Sequence, residues 1–323
     1  MPSVLWASVL VVVGIGVLTA GGEALVRGAV SLAKLLRVST AVVGLTLVAM
    51  GTSMPELAVS LLAGLEGRAD IAVGNVVGSN IFNIAVIVGL SALIVPLMVH
   101  MTAVRLEWPF MFVTSFLFLL LARDGVIDRL EGAFFLIGLV GFTAWMIRVA
   151  RTEIQPADAA ELEAAVTPLL VHPSGRRVLL DVGFVVLGLV LLVAGARVLV
   201  HGAVTLADLA GFSERSIGLT IVAAGTSMPE LATSLVAARR KQPDIALANV
   251  IGSNIFNIAG ILGLVSVITP QAVHPQIVAS DTWWMVGAAL LLWPFMRTGM
   301  RISRREGLVL LTGYAVYLWL LLR

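Results

Sequence analysis

Two glutamates stand in matching surroundings. The stretch Gly51-Thr52-Ser53-Met54-Pro55-Glu56-Leu57-Ala58 recurs letter for letter as Gly225-Thr226-Ser227-Met228-Pro229-Glu230-Leu231-Ala232. On a helix Thr52, Ser53 and Glu56 fall at i, i+1 and i+4 and share one side, as do Thr226, Ser227 and Glu230. Pro55 has no N–H to give to the Gly51 carbonyl, and Pro229 leaves Gly225 in the same condition. In lipid an orphan carbonyl must find a partner, and a bound cation is one.

A second polar set, Asn75, Ser79 and Asn83, runs at i, i+4, i+8 and recurs as Asn249, Ser253 and Asn257. Carboxylate, amide, hydroxyl and carbonyl oxygens together make a hard-oxygen set without imidazole or sulfur. Such a set suits Ca²⁺ and also Na⁺, whereas softer transition metals prefer nitrogen or sulfur. Two ionised glutamates balance one Ca²⁺ or about two Na⁺. Mutually exclusive occupancy of a charge-limited site is a physical route to exchange. Two buried carboxylates facing an empty site are costly, which hinders crossing without cargo.

The elements that carry these residues are strongly apolar. Of the 323 residues 59% are hydrophobic and only 12% charged, which excludes a soluble globular chain. Apolar runs long enough for a bilayer recur throughout. They predict ten spans, near 3–34, 40–64, 70–96, 103–122, 128–150, 178–210, 214–238, 244–270, 277–296 and 304–322. Spans 1 and 6 are too long for a vertical crossing and must tilt or project. The first span has no positively charged leader before it and no cleavage site after it, so it is kept as a span. Cysteine is absent, which removes disulfides, thiolate nucleophiles and Cys-type metal sites. Residues 151–177 form the only markedly polar connection, with a short surface helix expected near 156–165. That length is too short for a folded domain, so it is a linker.

An offset of 174 positions superposes the two blocks without a gap and matches about two-thirds of the positions between Gly44 and Leu90. Gly14 falls on Gly188, Gly28-Ala29 on Gly202-Ala203, and Asp70 on Asp244. Equivalent positions are five spans apart, an odd number, so the copies cross in opposite senses. Charge agrees through the positive-inside rule. With the N-terminus outside, the outer connections hold only Arg68, Arg123, Arg129, Arg215 and Arg323, while Arg239-Arg240-Lys241 and Arg297 to Arg305 fall inside. The loop Leu65-Glu66-Gly67-Arg68 lies opposite Arg239-Arg240-Lys241-Gln242, mixed in one copy and basic in the other. The expectation is an all-α integral membrane protein of ten transmembrane helices in two inverted five-helix repeats. Its parts are 1–150, a cytoplasmic linker 151–177, and 178–323, with both termini outside and the site near the midplane.

At these residues the chain resembles the sodium/calcium exchangers of the cation/calcium antiporter superfamily, in a compact form without a cytosolic regulatory domain. The resemblance rests on Gly-Thr-Ser-Met-Pro-Glu followed by Gly-Ser-Asn-Ile-Phe-Asn, present twice, and extends to the ten-span layout. It implies Na⁺/Ca²⁺ antiport across the cell membrane by alternating access, spans 1 and 6 sliding against a bundle of spans 2, 3, 7 and 8. Carried over position by position, it makes Glu56 and Glu230 the main Ca²⁺ ligands with the Thr52 and Thr226 backbone oxygens. Sodium would use Ser53, Ser79, Ser227 and Ser253 with the Ala49 and Ala223 carbonyls, and Asn83 and Asn257 would complete the centre. Some members, potassium-dependent ones included, carry aspartate where Asn257 stands, so exchange here is expected to need no K⁺. Ca²⁺ and Na⁺ are the transported ions; no cofactor, nucleic acid or obligate protein partner is implied.

Plainer roles stand beside these. No Lys or Arg lies within a turn of Glu56 or Glu230 to make a structural pair. Ser79 and Ser253, beside Gly78 and Gly252, also suit close helix contact. Asn75 and Asn249 are better hydrogen bonders between helices than ligands. Asp70 and Asp244 are expected as N-caps, and Glu23 with Arg27 as an intrahelical pair. Glu23 and Arg27 correspond to Arg197 and His201, so that feature is not symmetric. His100, His172, His201 and His274 lack metal-ligand spacing. The rival functions are an H⁺/Ca²⁺ antiporter with proton-carrying glutamates, a cation channel, and an intramembrane hydrolase. Ser53 and Ser227 have no neighbouring base for the last, so the chain is not expected to be an enzyme.

Overall fold

The computed structural model describes residues 4–36, 39–152, 175–211 and 223–321. The helix expected near 156–165 lies outside the described residues. Nearly everything described is helical, as a chain must be when its backbone polar groups cannot turn to water.

Two helices exceed the others: α1 (Val4–Leu36) with 33 residues and α7 (Gly175–Leu209) with 35. At 1.5 Å per residue each is about 50 Å long against a hydrocarbon core of about 30 Å, so both must tilt or project. They pack against each other along their lengths. Glycine permits that approach: a Cβ on Gly14 would meet the Leu199 nitrogen at 2.6 Å, and one on Gly188 the Leu25 nitrogen at 2.5 Å.

Between them in sequence come α2 (Thr40–Thr52), α3 (Met54–Leu65), α4 (Ala69–Ile94), α5 (Ala103–Asp124) and α6 (Arg129–Thr152). After α7 follow α8 (Ala223–Thr226), α9 (Met228–Arg239), α10 (Pro243–Ile268), α11 (Ile277–Met300) and α12 (Arg304–Leu321). The most buried apolar stretches belong to α4 and α10, 78% and 83% inside the protein against 22% for α1 and α7, so α4 and α10 form the centre. Short antiparallel ribbons tie the ends of the bundle. Strand β1 (Leu97–Met98) pairs with β4 (Arg301–Ile302), and β2 (Val126–Ile127) with β3 (Gln271–Ala272).

Among the described residues seven helices are long and apolar enough to cross a membrane, and the pair α2–α3, bent by 46°, makes an eighth. The remaining two expected spans fall short for stated reasons. Helices α8 and α9 adjoin residues outside the described set, and α12 opens on Arg304, Arg305 and Glu306, which lowers its hydropathy.

Two local expectations are corrected. Glu23 pairs with Arg240 at the end of α9, while Arg27 lies over the Phe184 ring, 4.5 Å from its centroid. One helical turn offered Glu23 a partner on its own helix, but the α1–α9 contact supplies a better one. Asp70 and Asp244 are not N-caps. The capping positions are Arg68 and Gln242, and each aspartate sits inside the first turn, where its charge favours the helix N-terminus. Asp244 also accepts from His100 Nε2 at 2.8 Å, and this bond raises the His100 imidazole above its ordinary pKa against the opposing effect of burial.

Candidate cation site

The bend between α2 and α3 falls at Ser53, whose φ of −83° and ψ of 10° leave helical geometry; its counterpart Ser227 has φ −86° and ψ 7°. Both breaks stand two residues before a proline, where the ladder of backbone hydrogen bonds is interrupted. Wider π-turns at Gly44–Val48, Asn83–Val88 and Phe256–Leu262 border the same region. Insertions of this kind re-aim side chains and are frequent at functional sites.

The breaks bring the two copies together. Ser53 Oγ donates to Glu230 Oε1 at 2.7 Å, and Ser227 Oγ donates to Glu56 Oε1 at 2.9 Å. Each serine thus serves the glutamate of the other repeat. Ser227 Oγ also lies 3.2 Å from Ser79 Oγ, which adds α4 to the cluster. All five side chains are buried, as is Ser253. Each carboxylate keeps one oxygen, Glu56 Oε2 and Glu230 Oε2, with no hydrogen-bond partner, and Ser253 Oγ, Asn83 Oδ1 and Asn257 Oδ1 are unpartnered as well.

The asparagines explain why oxygens rather than nitrogens are left over. Asn83 Nδ2 donates to Asn254 Oδ1 and Asn257 Nδ2 to Asn80 Oδ1, each at 3.0 Å. Asn80 and Asn254 donate in turn to each other's backbone carbonyls, at 3.3 and 3.4 Å. With every amide nitrogen committed across the α4–α10 contact, the Asn83 and Asn257 oxygens are the groups still without a partner. Asn80 and Asn254 are the first asparagines of the repeated Gly-Ser-Asn-Ile-Phe-Asn and were not among the expected site residues. Their i, i+3 spacing to Asn83 and Asn257 was the available signal.

The remaining expected residues fall around this centre. Thr52 Oγ1 donates to its own Ala49 carbonyl and to Asn249 Oδ1, both at 3.3 Å, and Thr226 Oγ1 reaches Asn75 Oδ1 at 3.4 Å. Asn75 and Asn249 brace the broken helices, donating to the Glu56 and Glu230 carbonyls at 3.3 and 3.5 Å and to Ser60 and Ser234 at 3.0 and 3.1 Å. They are hydrogen bonders between helices. Ala223 opens α8 directly before the second break. Among the described residues no cluster of three or more His, Cys, Asp or Glu side chains forms.

Five buried oxygens without partners would each cost about 1–3 kcal/mol if left so. Two belong to carboxylates, two to amides and one to a hydroxyl, all hard donors that a desolvated Ca²⁺ or Na⁺ satisfies.

The family model of the sodium/calcium exchanger protein matches residues 6–148 and 180–323. The chain belongs to the sodium/calcium exchanger family. It is 41% identical over 320 residues, 98% of each chain, to CaxA of Alkalimonas amylolytica, named as a candidate antiporter. To the sodium/calcium exchanger MaX1 of Methanosarcina acetivorans it is 33% identical over 338 residues, 96% of each chain. A structure of the sodium-calcium exchanger NCX_Mj soaked with zero Na⁺ and Ca²⁺ superposes with a TM-score of 0.83 at 28% identity, over 99% of this chain and 100% of that one. Exchangers of this family are multi-pass membrane antiporters that carry Na⁺ and Ca²⁺.

Proposed function

We propose that this protein exchanges Na⁺ for Ca²⁺ across the cell membrane by alternating access, with Glu56 and Glu230 at one shared site near the midplane. Ten spans form two inverted five-helix repeats, 1–150 and 178–323. Both termini lie outside and the 151–177 linker is cytoplasmic. The observation that carries the reading is the reciprocal one: each buried glutamate is held by the other repeat's serine and keeps one oxygen unpartnered. One site built equally from both halves is loaded and released from either side as the halves trade conformations.

Charge sets the stoichiometric limit. Two carboxylates neutralise one Ca²⁺ or about two Na⁺, so the ions compete for the same negative charge. Glu56, Glu230 and the Thr52 and Thr226 backbone oxygens hold Ca²⁺. Ser53, Ser79, Ser227 and Ser253 with the Ala49 and Ala223 carbonyls hold Na⁺, and Asn83 and Asn257 serve the centre. Asn257 adds no third charge, so K⁺ is not needed.

The test is ⁴⁵Ca²⁺ uptake into proteoliposomes driven by an outward Na⁺ gradient, in K⁺-free medium at equal pH on both sides. Robust uptake by the unmodified chain, lost in Glu56→Gln and in Glu230→Gln, is the expected result. Uptake that follows a pH gradient and ignores Na⁺ would move the driving ion to H⁺, and uptake that appears only with K⁺ would refute the role given to Asn257.

A further inference from the structure

The ion pair between Glu23 and Arg240 has a counterpart in the other half. Across the 174-position offset Glu23 corresponds to Arg197 and Arg240 to Glu66, so the equivalent pair is Arg197 with Glu66, opposite in charge and exchanged in order. Nothing in a repeat requires this. Glu66 and Arg240 stand in the loop where the copies otherwise diverge most, and had either half kept the other's residue the counterpart would be a repulsion.

Packing around the two pairs is unequal. Helix α9 is clasped by both long helices, α1 and α7, whereas its counterpart α3 makes no comparable contact with either. Val236 and Thr233 on α9 are 5% and 0% exposed, while the equivalent Leu62 and Val59 on α3 are 60% and 38% exposed. A Cβ on Gly22 of α1 would sit 3.1 Å from Val236. On the closed side Glu23 meets Arg240. On the open side Glu66 lies 3.6 Å from its exposed neighbour Arg68, and the exposed Arg197 has no ion-pair partner among the described residues.

We propose that Glu23–Arg240 and Glu66–Arg197 are the two alternating closures of one gate, made in turn as the long helices move from α9 to α3. The inference rests on the alternating-access reading above. When the halves exchange conformations, α7 comes to lie along α3 as α1 now lies along α9, and the first ion pair opens as the second forms. Each end state then keeps one charge pair at the seam, so the gate balances the two states instead of locking one. Glu23, Arg240, Glu66 and Arg197 are positioning residues; none belongs to the cation site.

The first test is a charge-reversal cycle in proteoliposomes. Glu66→Arg alone and Arg197→Glu alone should each slow Na⁺-driven ⁴⁵Ca²⁺ uptake about two- to fivefold, the size of an exposed ion pair's contribution. Both reversals together should restore the rate. A double variant as slow as the product of the single effects overturns the proposal. The second test needs no flux. The chain has no cysteine, so Val236→Cys and Leu62→Cys are single reporters for a hydrophilic thiol reagent applied to the purified protein. Removing the pair now formed, with Glu23→Gln, should speed labelling at Val236→Cys and slow it at Leu62→Cys; no change at either overturns the gate. Absence of Na⁺-driven uptake in the unmodified chain would refute the exchange reading while leaving the labelling result to stand or fall by itself.

Discussion

A carboxylate enclosed by apolar helices is tolerated when its charge has an answer. Glu56 and Glu230 each accept a serine hydroxyl from the other repeat, no Lys or Arg among the described residues pairs with them, and the oxygens left unpartnered around them leave the negative charge for a cation to answer. That they belong together was legible because an identical eight-residue block occurs twice and sets proline, hydroxyl and glutamate at one spacing. The orientation of the asparagines was not legible. An offset shows which residues are equivalent, whereas which residues touch depends on how two helices cross. Only the structure reveals that Asn80 and Asn254 consume the amide nitrogens of their partners. Asn254→Leu keeps the branching of the side chain but strips Asn83 Nδ2 of its acceptor and the Asn80 carbonyl of its donor, a loss of about 1–3 kcal/mol for each buried group left unpaired. We expect a lowered melting temperature in detergent together with weakened Ca²⁺ binding. Unchanged binding would show that the Asn83 oxygen does not need this brace.

At the scale of elements, two features of the helices govern the site. One is the pair of breaks at Ser53 and Ser227, which the Pro55 and Pro229 positions announce. The other is the close seam between α1 and α7, where equivalent glycines bring backbones into contact. The sequence marks Gly14 and Gly188 as equivalent without saying that they face a partner helix. The same limit explains the misreading of Glu23, which has Arg27 one turn away in sequence and Arg240 beside it in space. Gly188→Val would press branched carbons onto the Leu25 backbone, an overpacking cost of about 1–3 kcal/mol. Exchange and thermal stability should both fall. Gly183→Ala on the same helix has open space within 4 Å and should leave both near wild type. Equal effects of the two would mean that the α1–α7 seam is not the constraint.

For the whole molecule, the proposed function rests on the pairing of the two repeats. The paired bonds Ser53–Glu230 with Ser227–Glu56, and Asn83–Asn254 with Asn257–Asn80, show that neither half makes the centre alone. The departures from symmetry carry the rest. In the proposed topology the basic loop Arg239-Arg240-Lys241 falls inside and Leu65-Glu66-Gly67 outside, and the proposed gate uses Arg240 and Glu66 from these same loops. Helical class was legible in composition, since it follows from the lipid's demand on backbone groups, and the sequence repeat was legible in the 174-position offset. Which of α3 and α9 the long helices clasp was not, because a repeat with two equivalent copies does not declare it. In the proposed function Na⁺ and Ca²⁺ occupy one centre whose charge comes from both halves. Equilibrium ⁴⁵Ca²⁺ binding to the purified protein, titrated with Na⁺ in the wild type, Glu56→Gln and Glu230→Gln, tests it most directly. We expect Na⁺ to raise the apparent Kd for Ca²⁺ without lowering the number of sites, and either substitution alone to weaken binding by about tenfold or more. Full-affinity binding in either variant, or Na⁺ that removes sites without shifting Kd, would contradict it.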